Sequence, residues 1–420
     1  ELFPHAANLT RSIVFRSENY AGVRAHAIAF DRATVSVHNA AFLDMGRTTT
    51  AALDRVTNHI GRDSFHCHHV YGPKIPTSDR QFEFVGNVVA NAELHPTSRR
   101  RWGIAIHDSH FGLVKSNVVF NAADGAGIAG EDGSEYGNRI EHNFIVGVFG
   151  STRNEGHQTG DQGDGVWMAG PYNQIVGNVV AGVRRLAVTV VTGALSPRGL
   201  IPSSPGDGQE KFKPVLLTWS PPTSEVRGTE CYATQFGVNL WRNSDDKLHD
   251  QVVSNTTLWH VWGFGINGYF GPGRVVVDGW THLNDPLKMN PMADRTGNEN
   301  QSIVFGGGAK QIMEVRNTRI ENCQVGIRQR GRNKAELFEM TDSTLRNRVL
   351  FVIGALFVFR MLAAIPVRTI ESYQLDQFFQ NNQFFGLVNV FSGGGLDNLS
   401  IVMLGVGPYI TASIIMQLGT

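Results

Sequence analysis

The chain has 420 residues, enough for a sizeable core and, at roughly one domain per 150 residues, for two or three domains unless the fold is an elongated repeat. Lys plus Arg and Asp plus Glu both number 37, so the formal charge is zero, which argues against a nucleic-acid partner and against an acidic disordered chain. The three cysteines (Cys67, Cys231, Cys323) are too widely spaced for a disulfide scaffold or a CxxC metal knuckle, and 47 glycines point to many tight turns. The averages conceal a seam. The last 76 residues hold only seven charged side chains, and all 15 histidines and all three cysteines precede residue 344. The sequence starts at Glu1 without a positive-then-apolar leader, so a signal peptide is expected to have been removed or to lie outside it.

Residues 1–344 read as a repeat. An apolar-x-x-Asn-apolar phrase recurs at Phe84 to Val89, Val114 to Val119, Ile140 to Ile145 and Ile175 to Val180, with later copies ending at Asn255 and Asn317. A Gly-apolar-x-apolar phrase precedes most copies, as at Gly103, Gly127, Gly165, Gly237, Gly265 and Gly326. Each unit therefore reads as two short strands. Asn-to-Asn steps of 30, 26 and 35 residues, with Gly and Asn turns and no helical period between them, predict the rungs of a right-handed parallel β-helix, leucine-rich repeats being the structural rival, whose Leu-x-x-Leu-x-Leu signature is absent. Stacked rungs share one core, and the recurrent Asn is expected either to take left-handed turn geometry or to form an inward amide ladder. Residues 191–225 break the rhythm with Ser196-Pro197, Pro202 to Gly206 and Pro221-Pro222, predicting a loop that leaves the coil and returns.

Histidines concentrate at His66-Cys67-His68-His69, followed by His107-Asp108-Ser109-His110. Aligning rungs on the Gly phrase sets Ser64 beside Gly103 and Gly127, hence His68 beside His107 and Glu131. Strand alternation adds His66 to the same face, so His66, His68, His107 and Glu131 are expected to converge, with Asp132 alongside. Imidazoles with a carboxylate suit general acid/base catalysis or a divalent metal, zinc or calcium, held by His66, His68 and His107. A ladder of stacked histidines without chemistry fits the same pattern.

Gly61-Arg62-Asp63-Ser64-Phe65-His66-Cys67-His68 resembles the Gly-Arg-x-x-x-His-x-His phrase of the β-helix in cell-surface hyaluronidases and hyaluronan-binding cell-migration proteins. The resemblance continues through Ile106-His107, Leu113 to Val118, Glu131-Asp132-Gly133 and Asn138 to Asn143. It departs at Asp63-Ser64-Phe65, where the family has Tyr-Pro-Ile-type residues. It covers residues 9–150 well and extends more loosely to 342. It implies a secreted or surface β-helix that binds an acidic polysaccharide and acts as a polysaccharide hydrolase or lyase, with a non-catalytic adhesive solenoid as the alternative. For such a polymer Arg101, Trp102, Trp167, Trp241 and Tyr269 are candidate substrate contacts, because sugars stack on aromatic faces and uronates pair with cations. Packing and solvation explain the same residues without a ligand. Asp161, Asp164, Asp245 and Asp246 are candidate calcium ligands.

The tail differs. Residues 349–365 are apolar except Arg360, and 399–418 hold no charge, predicting two membrane-spanning helices. Leu345 to Phe351, Phe359-Arg360, Asn389 to Leu396 and Leu404 to Ile415 resemble the amino-terminal part of the SecY subunit of the protein-conducting translocase. That resemblance implies a short α-helical membrane segment with a plug-like loop near 385–396, Val406 and Ile410 at pore-ring positions, and translocase subunits as partners. No linker separates Ser343 from Leu345, which suggests a chimeric or truncated reading frame, with translocase membership as the remaining alternative.

Overall fold

In the computed structural model the described residues are 2–30, 33–46, 61–70, 80–91, 102–122, 125–130, 133, 135–150, 162–170, 172–191, 200–202, 212–214, 224–241, 250–269, 273–285, 300–306, 311–329, 337–341, 350–355, 357, 358 and 361. Two units separate between Thr341 and Asp342.

The first unit is a parallel β-helix. Short strands fall into three parallel sheets of ten strands each among the described residues. The first sheet starts with Ile13–Arg16, the second with Ala27–Phe30 and the third with Val35–His38. One strand of each makes a rung, so a rung holds three strands where the sequence reading expected two. The reason is local. The Asn phrase covers two strands and the corner between them, as in Phe82–Val85 followed by Val88–Ala90.

At that corner two residues divide the work. The first takes left-handed backbone geometry at Gly86, Ser116, His142, Gly177 and Gly228, with φ of +68°, +54°, +52°, +63° and +62°. The second, when Asn, reaches its neighbours: Asn87 N–H donates to Asn117 Oδ1, Asn117 N–H to Asn143 Oδ1, and Asn143 N–H to Asn178 Oδ1, at 2.8–3.0 Å. Their side-chain amides donate to carbonyl oxygens of the preceding third-sheet strands, as Asn117 does to Phe84 and Asn143 to Val114. This buried ladder satisfies backbone groups that a turn would otherwise orphan. Asn255 and Asn317 sit one residue earlier in the corner, themselves left-handed at +48° and +47°.

Alternation turns every second side chain inward. Phe84, Val114, Ile140, Ile175, Val226 and Val253 stack in register along the third sheet. Val89, Val119, Ile145, Val180, Cys231 and Leu258 do so along the first. These columns form one continuous core from Ala29 to Val315, each buried side chain contributing about 1.5–3 kcal/mol. The break in rhythm holds a two-stranded antiparallel sheet, Leu200–Pro202 with Phe212–Pro214.

In the second unit, residues 350–355, 357, 358 and 361 are helical. Among the described residues no helix is long and apolar enough to cross a membrane. The spanning helix expected over 349–365 is thus not among the described elements. The plug-like stretch 385–396, the second apolar stretch 399–418, and Val406 and Ile410 lie outside the described residues.

Candidate functional site

The outward face of the second sheet carries the histidines. In strand Phe65–His68, Phe65 and Cys67 enter the core, so His66 and His68 face out. In strand Ile104–His107, Ile104 and Ile106 point in and leave Ala105 and His107 outside. The strands pair with His66 opposite Ala105 and His68 opposite His107, the register set by the Gly phrase. Burial pushes the Cys67 thiol far above its ordinary range, making it a core side chain rather than a nucleophile.

His69 joins from an unexpected direction. Alternation alone would send it inward, but the chain turns there with φ of +56°, and Asp108 does the same on the next rung at +43°. The rings of His68 and His69 stack at 4.0 Å and 12°, those of His68 and His107 at 4.8 Å and 6°, and those of His69 and His107 at 5.2 Å and 8°. One nitrogen from each of the three lies within 4.8 Å of the others. Asp108 Oδ2 stands 3.4 Å from His69 Nε2 and 3.7 Å from His107 Nε2. The group that converges is therefore His68, His69 and His107, with Asp108 as the nearby carboxylate. Glu131 and Asp132 lie outside the described residues.

His66 is held differently. Its Nδ1 lies 2.9 Å from Asp63 Oδ2, both residues are buried, and His66 Nε2 and Asp63 Oδ1 have no hydrogen-bond partner. Its ring centroid is 5.4 Å from His68 and 5.8 Å from His107. Beneath the group, Glu135 is buried and accepts hydrogen bonds from Asp108 N–H at 3.2 Å and Gly133 N–H at 2.9 Å. Ser109 Oγ donates to the His107 carbonyl and accepts from Val70 N–H. These bonds fix the turns that present His69 and Asp108.

Burial, reinforced by repulsion from His69, His107 and His66 and partly offset by Asp108, lowers the His68 pKa to about 4. At neutral pH that imidazole is uncharged, the form that binds metals or accepts protons. His110 is likewise lowered to about 4 by burial, and its Nδ1 accepts the Tyr136 N–H. Three imidazoles are the donor set of a catalytic zinc site with an open position. Ligand atoms around an ion bound at about 2.0 Å are about 3.3 Å apart in a tetrahedron, so these stacked rings would have to rotate towards one another.

Farther along the same face stand the aromatic candidates. Trp102 is fully buried over Ala105, Ala126, Ala129 and Trp167. Trp167 is also buried, and half-buried Trp241 meets it edge-on at 6.2 Å. Tyr269 lies in register beside Trp241; its side chain, Arg101, Asp161, Asp245 and Asp246 lie outside the described residues. Asp164 is buried, and its Oδ1 accepts the Leu186 N–H. The sequence reading gave no role to His69, Asp108, Asp63 or Glu135. Proximity in the sequence was the available signal for the first three.

Segments of 80 to 90 residues are similar to curated SecY subunits. Identity is 45% over 85 residues with the protein translocase subunit SecY of Borreliella burgdorferi (20% of this chain, 19% of that protein). It is 42% over 90 residues with that of Streptomyces scabiei (20% of each), and 45% over 80 residues with that of Vibrio cholerae (19% and 18%). The chain spans about a fifth of the length of these relatives. Among solved structures, the family 28 exopolygalacturonase of Yersinia enterocolitica aligns over 76% of this chain and 70% of its own, with a TM-score of 0.30 and 9% identity. Residues 25–200, which hold the whole histidine group, match the family model described as CEMIP beta-helix.

Proposed function

We propose that the β-helix is a polysaccharide-binding and polysaccharide-cleaving domain of the cell surface or secreted space, acting at the outward face of the second sheet. One observation carries this reading: His68, His69 and His107 gather beside Asp108 on that face, with His68 held uncharged. An acidic glycan is the substrate class implied by the resemblance of the histidine phrase.

Cleaving a glycosidic bond requires a proton donor at the leaving oxygen and a base, which in a hydrolase takes a proton from water and in a lyase takes one from the carbon beside the uronate carboxyl. Neutral His68 is the base. His69 and His107, whose Nε2 atoms stand 3.4 and 3.7 Å from Asp108, form the proton-donating side of the site in this reading. Asp63 fixes the His66 ring through Nδ1, and His66 Nε2 is buried without a partner. The imidazole donor set suits zinc rather than calcium, which takes oxygen ligands. In a zinc-loaded form these three rings would be ligands rather than acid or base, and zinc held by His68, His69 and His107 would supply a Lewis acid and an activated water in their place.

Incubating the full chain with hyaluronan, chondroitin and pectate, with and without zinc, tests the reading. Shortening of one polymer, reduced about 10²–10⁴-fold in His68→Ala and His107→Ala, is expected; ultraviolet-absorbing unsaturated ends would identify a lyase. Neither binding nor shortening of any polymer would overturn it. The near-parallel stacking of the rings favours a second reading, a histidine ladder in an adhesive solenoid. In that case both variants change stability and leave glycan affinity intact. The SecY-like tail we read as a fragment joined to the coil in a chimeric frame. A long sequencing read that crosses residues 340–350 unbroken in genomic DNA would overturn that reading.

A further inference from the structure

One outward row of the second sheet runs in register through His66, Ala105, Ala129, Trp167, Thr189, Asn239 and Asn267. Three buried atoms in it have no hydrogen-bond partner: His66 Nε2, Trp167 Nε1 and Thr189 Oγ1. Trp167 is 4% exposed and Thr189 0%. Each such group left unsatisfied costs about 1–3 kcal/mol, and Trp167 and Thr189 stand in register on adjacent rungs. Beyond Thr189 the row opens. Asn239 and Asn267 are half-buried, and the Asn267 amide donates to Asn239 Oδ1 at 2.9 Å, a bond that does not use the Asn239 amide nitrogen or the Asn267 side-chain carbonyl oxygen. The neighbouring outward row holds Ala169, Val191, Trp241 and Tyr269.

From Trp167 to Asn267 in one row and from Ala169 to Tyr269 in the other, neither row of described residues contains a charged residue. The strip therefore matches an uncharged ligand. An indole N–H only donates, so the ligand atom facing Trp167 must accept, whereas a threonine hydroxyl can do either. Trp167 to Asn267 spans three rung steps of roughly 4.8 Å, long enough for consecutive rings of a linear glycan laid along the coil axis.

We propose that Trp167, Thr189, Asn239 and Asn267 form an uncharged sugar subsite, which recognises hydroxyl or acetamido groups of a linear glycan two rungs beyond His107. The proposal concerns binding and stands without the chemistry assigned to the histidines.

Calorimetric titration of the full chain with hexamers of N-acetylglucosamine, of glucose and of galacturonate tests it. One of the two neutral hexamers is expected to bind, with an affinity insensitive to added salt, the first indicating an acetamido group and the second hydroxyls alone. Thr189→Val and Trp167→Phe should each weaken that binding about five- to thirtyfold, and Thr189→Ser should retain it. Thr189→Val replaces an unsatisfied hydroxyl with a methyl group, so its melting temperature should equal or exceed that of the unaltered protein. Trp167→Phe provides the readout if that variant fails to fold. Binding of galacturonate hexamer alone, no binding of either neutral hexamer, or unchanged affinity in both variants would overturn the proposal. Polymer shortening that persists with unchanged affinity in these variants removes the subsite and leaves the proposed function standing. Loss of hexamer binding in a protein that cleaves nothing does the reverse.

Discussion

Two regions of the coil, around His282 inside and around Thr189 outside, hold buried polar side chains that are treated in opposite ways. Inside, His282 occupies the inward column of the first sheet between Leu258 and Ile320. It is fully buried, yet both ring nitrogens are engaged: Nδ1 with Ser302 Oγ and Nε2 with the Asn284 amide, each at 3.0 Å. Trp280 Nε1 donates to the same Ser302 oxygen. Outside, on the second sheet, His66, Trp167 and Thr189 are as deeply buried but keep unpartnered atoms. Burial alone therefore does not mark a site here. Lack of a partner does not by itself mark one either, since Thr229 Oγ1 and Gln251 Oε1 are buried and unpartnered elsewhere in the coil; what distinguishes Trp167 and Thr189 is that they stand in register on adjacent rungs.

The largest expected effect breaks the satisfied interior. Asn143→Ala removes the acceptor for the Asn117 N–H and the donor for the Val114 carbonyl, both deep in the corner ladder. Chemical denaturation should show a loss of about 2–5 kcal/mol, with no change in glycan or zinc binding. His282→Ala should cost about 2–4 kcal/mol, from a cavity and from partners left unpaired, and should likewise spare ligand binding.

A pH titration sharpens the contrast. Burial lowers the His282 pKa to about 3, whereas the unfolded chain titrates near 6.5. The unfolded state then binds the extra proton between those values, so the contribution of neutral His282 is present above pH 6.5 and is lost as pH falls towards about 3. Unfolding free energy measured across that window should decline less steeply in His282→Gln than in the unaltered chain.

The smallest effects belong to the outer face. His68→Ala and His107→Ala should change stability by about 0.5 kcal/mol or less, yet abolish any rise in melting temperature produced by zinc. If instead they destabilise the chain as much as His282→Ala, the stacked rings are structural and the contrast fails.

Much of the coil was legible because its signal is local and repeated. Gly and Asn mark the same corner in rung after rung, and alternating apolar residues mark the strands between. The Gly phrase even set His68 against His107. Legibility failed where one phrase concealed two strands around Asn87, and where a single backbone dihedral reversed a side chain. His69 is the clearest case: period-2 reasoning buries it, and its left-handed turn brings it out beside His68 and His107. Asp63 was likewise passed over, because its bond to His66 spans a turn that composition does not reveal.

By itself the sequence determined that the chain before about residue 344 carries the repeat of a stacked coil, that histidines cluster near its beginning, and that the tail is of another kind. Those are properties of period, composition and local chemistry. Only the tertiary structure decided which atoms are left without partners, since the outward row from His66 to Asn267 is assembled from seven rungs spread over about 200 residues. Hydrogen-bond satisfaction depends on neighbours one rung away in space, and those neighbours are fixed by register rather than by adjacency in the chain.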